Sequence, residues 1–148
     1  MDGSSPPRWS RAASSTVGRK QKSFTLEEAN RALPLVRRVV SDIVAQYKEL
    51  LRLQPQREAL LKSGRKAAAV AVKRQGTAIA ERIDELIDEL RGIGCDLKDH
   101  QAGLVDFPGR RNGREILLCW KPSEPNVMFW HEVHAGFSGR RPIDDACE

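Results

Sequence analysis

Two stretches of nearly equal length carry apolar or small residues spaced alternately by three and by four, and this matched spacing constrains the fold more than any other feature. The first repeat comprises Leu26, Ala29, Leu33, Val36, Val40, Ile43, Tyr47 and Leu50. The second comprises Ala69, Val72, Gly76, Ile79, Ile83, Leu86, Leu90 and Ile93. Such spacing lays one apolar stripe along a helix, and two such helices bury their stripes against each other. The sequence therefore predicts a long antiparallel, coiled-coil-like two-helix hairpin.

The ends of both helices carry recognisable signals. Thr25 followed by Glu28 has the spacing of a capping box, which starts the first helix. We expect this helix to run to about Leu53 and to kink at Pro34, and a connection over residues 54–66 to lead into the second helix. Gly92 or Gly94 ends the second helix.

Charge favours the antiparallel arrangement of the two helices. The C-terminal half of the second helix is acidic, which opposes its own dipole, so basic neighbours there are favourable. Antiparallel pairing places this half beside Arg31, Arg37 and Arg38 of the first helix.

Residues after Gly94 change to short apolar runs broken by turn residues. Residues 103–108 and 115–120 are typical of strands, and Asn112 with Gly113 is typical of the tight turn between them. Residues 127–131 predict a third strand, followed by an irregular segment held by Phe137 and Ile143. The predicted fold class is α+β and predominantly α, with this small antiparallel β segment covering one end of the hairpin.

The 148 residues suffice for one domain. We expect a disordered basic leader over residues 1–23, a single domain over residues 24–143, and a disordered tail over residues 144–148. The leader holds a net charge of +4 of the total +5, so the folded part is close to neutral. A transit peptide has a similar composition, but the leader lacks a clear amphipathic face.

Composition also bears on where the protein works. No apolar run approaches the roughly 20 residues that a membrane span needs, so no membrane partner is expected. Cys95, Cys119 and Cys147 are odd in number and show no C-x-x-C spacing, which argues against a disulfide framework. We expect a soluble protein in the reducing cytoplasm.

The end of the hairpin away from the β segment has too little cover for its apolar residues. On a two-layer hairpin we expect partial exposure of Val44, Leu51, Leu53, Val70 and Val72. Exposed apolar stripes of this kind usually find a partner. The sequence therefore predicts a homodimer through the distal hairpin.

Several short motifs occur in a fixed order between Phe24 and Ile143. They are Phe24-Thr25-Leu26-Glu27-Glu28-Ala29-Asn30 with Leu33-Pro34, Gly103-Leu104-Val105-Asp106-Phe107-Pro108, Gly113-Arg114-Glu115, Leu118-Cys119-Trp120-Lys121, Trp130-His131-Glu132 and Gly136-Phe137-Ser138-Gly139-Arg140. In these motifs the chain resembles the family called domain of unknown function 2203, found mainly in bacteria. The resemblance does not indicate an activity, and it does not point to particular functional residues.

Residues with reactive or ligand-binding side chains concentrate in the C-terminal third. Candidate ligand-binding residues are Asp106, Trp120, Trp130, Glu132 and Arg140. The two tryptophans have the shape to sandwich a flat ligand, with Arg140 on an anionic group, but equally to fill a small core. Asp106 suits a base, or an ion pair with Arg110, Arg114 or Arg140.

A metal site is the second candidate in this region, formed by His131, His134 and Cys119. The spacing differs from H-E-x-x-H, and on one strand the two histidines would face opposite sides. A site would therefore need the chain to turn at His134, with Asp106 or Cys119 completing it, and zinc would be the default ion. Cys119 alone is interpreted as an inert buried thiol.

Three functions from different classes follow. The leading hypothesis is a non-enzymatic scaffold that dimerises and docks an unknown protein partner, because the sequence has no nucleophile motif and no phosphate-binding loop. The second is a small-molecule or zinc site in the C-terminal cap. The third is weak nucleic-acid binding by the leader and by basic residues of the distal hairpin, namely Lys62, Arg65, Lys66, Lys73 and Arg74.

Overall fold

The computed structural model describes residues 22–148, so the predicted leader lies outside the described residues except for its last two positions. Helix α1 (Leu26–Lys62) and helix α2 (Lys66–Ile93) pack together as an antiparallel hairpin. The C-terminal part forms a five-stranded antiparallel sheet, whose strands are β1 (Asp96–Asp99), β2 (Leu104–Arg111), β3 (Arg114–Trp120), β4 (Phe129–Glu132) and β5 (Arg141–Pro142). The predicted fold class is confirmed.

Helix α1 starts where the sequence predicts. The Thr25 hydroxyl accepts from the backbone N–H of Glu28, and the Glu28 carboxylate accepts from the backbone N–H of Thr25. The helix does not end near Leu53, however, but continues through Pro55 to Lys62. A proline removes one helical hydrogen bond, and the strong helix formers that follow it carry the helix on. The link between the helices is therefore only residues 63–65.

Helix α2 ends at Ile93 and is capped by Gly94, whose φ of 115° is left-handed. A Cβ atom at this position would lie 2.9 Å from the Phe24 ring. Glycine is thus needed here both for the backbone turn and for close packing on the segment before α1.

The core lies between the hairpin and one face of the sheet. The sheet contributes Val105, Phe107, Ile116, Leu118, Trp120 and Trp130, and the helices contribute residues of the predicted stripes, among them Leu33, Val36, Val40, Ile83, Leu86 and Leu90. The sheet covers only one end of the hairpin, as predicted. At the distal end, a Cβ atom on Gly76 would lie 3.6 Å from Leu50 and 3.9 Å from Leu53, so the helices approach closely there.

The exposure predicted for the distal hairpin is only partly found. Leu53 and Val72 are buried between the helices, with 4% and 8% exposure. Leu51 and Val70 are exposed, and Val44 is half-buried. No helix among residues 22–148 has the apolar length that crossing a membrane requires.

The strands agree with the predicted β segment and add to it. Asn112 and Gly113 both have positive φ and link β2 to β3 in the predicted tight turn. Strand β1 is missed by the sequence pattern because Leu97 is its only apolar residue. Residues 144–148, for which the sequence predicts disorder, contact β2, since Arg111 pairs with Asp144 at 2.7 Å.

Arg37 has a different role from the one that charge patterning indicates. Its guanidinium donates to the backbone carbonyls of Pro122, Glu124 and Pro125 and lies 5.0 Å from the centroid of the Trp120 ring. Arg31 bonds Glu27 within α1. Arg37 therefore holds the β3–β4 loop against α1 through these hydrogen bonds, and its role is not to balance the acidic residues of α2.

Candidate functional site

The sheet face that points away from the helices carries the candidate site. Because side chains alternate along a strand, Val105 and Phe107 enter the core while Asp106 points to the other face. Asp106 lies opposite Cys119 in the β2–β3 pairing, and His131 of β4 lies opposite Leu117 in the β3–β4 pairing. Three adjacent strands thus bring a carboxylate, a thiol and an imidazole to one place.

Asp106 and His131 form a buried pair. The Oδ1 atom of Asp106 lies 3.0 Å from Nε2 of His131, and the two residues are 3% and 2% exposed. The Nδ1 atom of His131 lies 2.7 Å from the backbone oxygen of Glu132, which can only accept, so Nδ1 carries a proton. The hydrogen bond with Asp106 raises the pKa of His131, with the Glu132 carbonyl adding to the effect.

Cys119 stands beside this pair and is fully buried. Burial, together with the nearby Asp106 charge, raises the pKa of its thiol to about 12. The thiol is neutral at physiological pH and is a poor nucleophile. The geometry therefore gives no support to a catalytic Cys–His–Asp triad.

A cleft of about 640 Å³ opens above Asp106 and His131. Its other lining residues are Lys98, Asp99, Ala102, Leu104, Leu117, Lys121, Val133, His134, Gly136 and Phe137. One wall is the segment 133–140, which turns back directly after β4 through a hydrogen bond from the Ala135 N–H to the Glu132 carbonyl. This turn brings His134 to the cleft that His131 also lines, although the His134 side chain is exposed.

Arg140 anchors the end of that segment. Its guanidinium donates to Glu124 Oε1 at 2.5 Å and to the Cys119 carbonyl at 3.3 Å, and it lies 4.2 Å from the Phe129 ring centroid and 4.7 Å from that of Phe137. Glu124 is itself buried and accepts from the Lys121 N–H. Sequence reasoning missed Glu124, because a single acidic residue in a loop gives no signal of burial.

The other candidate residues lie elsewhere. Trp120 and Trp130 fill the core on the opposite face of the sheet, and the Trp120 indole donates to the Glu124 carbonyl. Glu132 pairs with Arg114 at 2.6 Å. The cleft is therefore lined by Asp106, His131, Lys98, Lys121 and apolar side chains. The two tryptophans lie on the other face of the sheet and do not line it.

Comparison with known proteins agrees with the motifs. Residues 22–143 match the model of the family described as Uncharacterized conserved protein (DUF2203). The chain belongs to this family. No curated protein and no solved structure matches it. The DUF2203 match spans both helices and the whole sheet, and it therefore includes every residue that lines the cleft.

One part of this DUF2203 domain offers ligands for a metal ion. One atom each from Asp106, Cys119 and His131 can be chosen so that all three lie within 4.8 Å of one another. Of the three metal candidates that the sequence indicates, Cys119 and His131 belong to this group, and Asp106 joins them as the alternative partner.

Proposed function

We propose that this protein binds a small amphipathic anion in the cleft between the outer sheet face and the segment 133–140. The observation that carries the proposal is the cleft itself, which has the volume of a small-molecule site and largely apolar walls. The buried pair of Asp106 and His131 forms its floor.

The walls of the cleft expose apolar surface to water. Val133 and Phe137 are each 46% exposed, and both line the cleft with Leu104 and Leu117. Exposed apolar side chains that gather around one concavity favour a ligand with an apolar body.

The charged residues of the cleft favour an anionic group on that ligand. Lys98 is exposed, and the Lys121 ammonium lies 5.4 Å from the centroid of the Phe137 ring. Asp99 and Asp106 also line the cleft, but the Oδ1 of Asp99 accepts from the backbone N–H groups of Gln101 and Ala102, and Asp106 is paired with His131. An apolar body with a carboxylate, sulfonate or phosphate group satisfies both features.

The test uses 8-anilinonaphthalene-1-sulfonate, an amphipathic anion whose fluorescence rises in apolar sites. We expect saturable binding at one molecule per chain and displacement by octanoate. Val133→Asp should weaken binding at least about tenfold, since it places a negative charge on the wall. Val70→Asp is the matched control, because Val70 is similarly exposed, at 49%, but lies on the distal hairpin. Equal binding by the two variants would contradict the proposal.

A second candidate function is a scaffold that dimerises through the distal hairpin. It is supported by the exposure of Leu51, Leu61 and Val70, which are 43%, 46% and 49% exposed outside the part of the hairpin that the sheet covers. For either function we propose a cytoplasmic setting, which the three free cysteines support.

A further inference from the structure

We propose that Asp106, Cys119 and His131 bind one zinc ion at the floor of the cleft. These three ligands lie on the strands that form the floor of the cleft, and zinc binding does not depend on whether the cleft takes an anion.

The donor atoms suit zinc in type and in distance. A carboxylate oxygen, a thiolate sulfur and an imidazole nitrogen form a mixed set that zinc accepts, whereas calcium and magnesium prefer oxygen alone. Zinc–ligand bonds of about 2.0 to 2.3 Å in a tetrahedron place neighbouring ligand atoms roughly 3.3 to 3.7 Å apart. The Nε2–Oδ1 distance is 3.0 Å, and all three donors lie within 4.8 Å of one another. Only small side-chain movements separate this arrangement from a zinc site.

The surroundings orient the ligands. The Glu132 carbonyl holds the proton of His131 on Nδ1, at 2.7 Å, which leaves Nε2 as the nitrogen that binds a metal. The three ligands come from β2, β3 and β4, whose hydrogen-bonded register fixes their spacing.

Charge balance also favours a dication at this buried position. Zinc binding displaces two protons to solvent, the thiol proton of Cys119 and the proton that Nε2 of His131 shares with Asp106. One carboxylate and one thiolate then neutralise the two positive charges of the ion, so the occupied site has no net charge. Neutrality matters here because a net charge at a buried position is costly.

We place the fourth coordination position on the side of the cleft. Asp106 and His131 line the cleft, whereas Cys119 is fully buried and does not. Catalytic zinc sites have three protein ligands and a fourth position that is open to water or to a ligand. His134 is on the cleft wall and exposed, and the proposal does not require it.

The test uses the reduced full-length protein after removal of metal with a chelator. Cobalt(II) serves as the spectroscopic probe, and zinc affinity is measured by competition with a chromophoric chelator. We expect one cobalt per chain with a thiolate-to-cobalt charge-transfer band, and displacement of cobalt by one equivalent of zinc. Cys119→Ser should lose the band, and Asp106→Asn and His131→Gln should weaken zinc binding by about 100-fold or more.

Two control variants test the assignment of ligands. Cys95→Ser removes another buried thiol and His134→Ala removes the neighbouring imidazole, and both should keep zinc affinity within about threefold of the wild type. Loss of affinity in either control would overturn the three-ligand site. The wild-type cobalt spectrum needs no variant, so the absence of a thiolate band at stoichiometric cobalt would overturn the proposal even if a variant failed to fold. Binding of the fluorescent anion to the metal-free protein tests the cleft separately.

Discussion

Nε2 of His131 lies 3.0 Å from Oδ1 of Asp106 at a position where both side chains are shielded from water. The two residues are 25 positions apart and sit on strands that are not adjacent, with β3 between them. Because Nδ1 donates to a carbonyl, the proton shared with Asp106 is the second proton of the ring. When His131 carries both ring protons, its Nε2–H therefore donates to the Asp106 carboxylate, and the two residues form a buried ion pair.

This pair makes the stability of the metal-free protein depend on pH. The raised pKa of His131 means that the folded state binds its proton more tightly than the unfolded state. Its contribution to stability is fully present below the ordinary value of 6.5 and is lost as the pH rises through the folded-state pKa. We expect the urea midpoint, measured with chelator between pH 5.5 and 9, to fall with pH more steeply in the wild type than in Asp106→Asn. Parallel profiles would exclude the ion pair as the cause.

Gly103 should be intolerant of a side chain. Its φ is 73°, and a Cβ atom would lie 2.7 Å from Cγ1 of Val40. Gly103→Ala combines left-handed strain with overpacking, so we expect a loss of about 2 to 4 kcal/mol in the free energy of unfolding. Gly113→Ala has nearly the same φ, 75°, with nothing within 4 Å, and should cost only about 1 kcal/mol. Equal losses in urea unfolding would refute the packing argument.

Arg37 should be essential for order in the β3–β4 loop. Arg37→Lys removes the planar group that reaches three carbonyls and stacks on Trp120, and we expect a loss of about 2 kcal/mol. Hydrogen exchange should become faster for the backbone N–H groups of the loop, including that of Val127, which donates to Asn30. Arg38→Lys, at the adjacent exposed position, is the control and should leave exchange unchanged.

Dimerisation should depend on the distal hairpin and not on the cleft. Sedimentation of the wild type at micromolar concentration is expected to give a dimer. Val70→Asp should weaken the dimer at least about tenfold, because it places a charge in an apolar contact, whereas Val133→Asp should not. A monomeric wild type would rule out this second candidate function.

The helical part of the fold can be predicted from the sequence because the patterns that specify it are local. The three-four spacing, the Thr25–Glu28 capping box and the Asn112–Gly113 turn each act within a few residues. Helix α1 extends beyond the predicted end because helix formers on both sides of Pro55 outweigh one lost hydrogen bond. Strand β1 is held by pairing with β2 and not by its own apolar pattern, so periodicity does not find it.

The candidate site is harder to predict from the sequence, because the positions of its side chains depend on how the strands are aligned with one another. The reactive residues are evident in the sequence, but a shift of one residue would move Asp106 to the core face and away from His131. Register also decides the partner of Asp106, which is His131 and none of the arginines that the sequence offers for an ion pair. Of these, Arg140 pairs with Glu124, and Arg114 with Glu132. The buried position of Glu124 arises from the loop fastened by Arg37, which no short motif encodes.

The strand order β1-β2-β3-β4-β5 follows the order of the chain, and this bears on how fast the site can assemble. Each strand pairs with its neighbour in sequence, so sheet formation closes only short loops and requires little long-range search. Asp106, Cys119 and His131 meet through two such closures. The three donor atoms therefore come together through local strand pairing, whereas packing the sheet on the helices joins residues much farther apart in the chain.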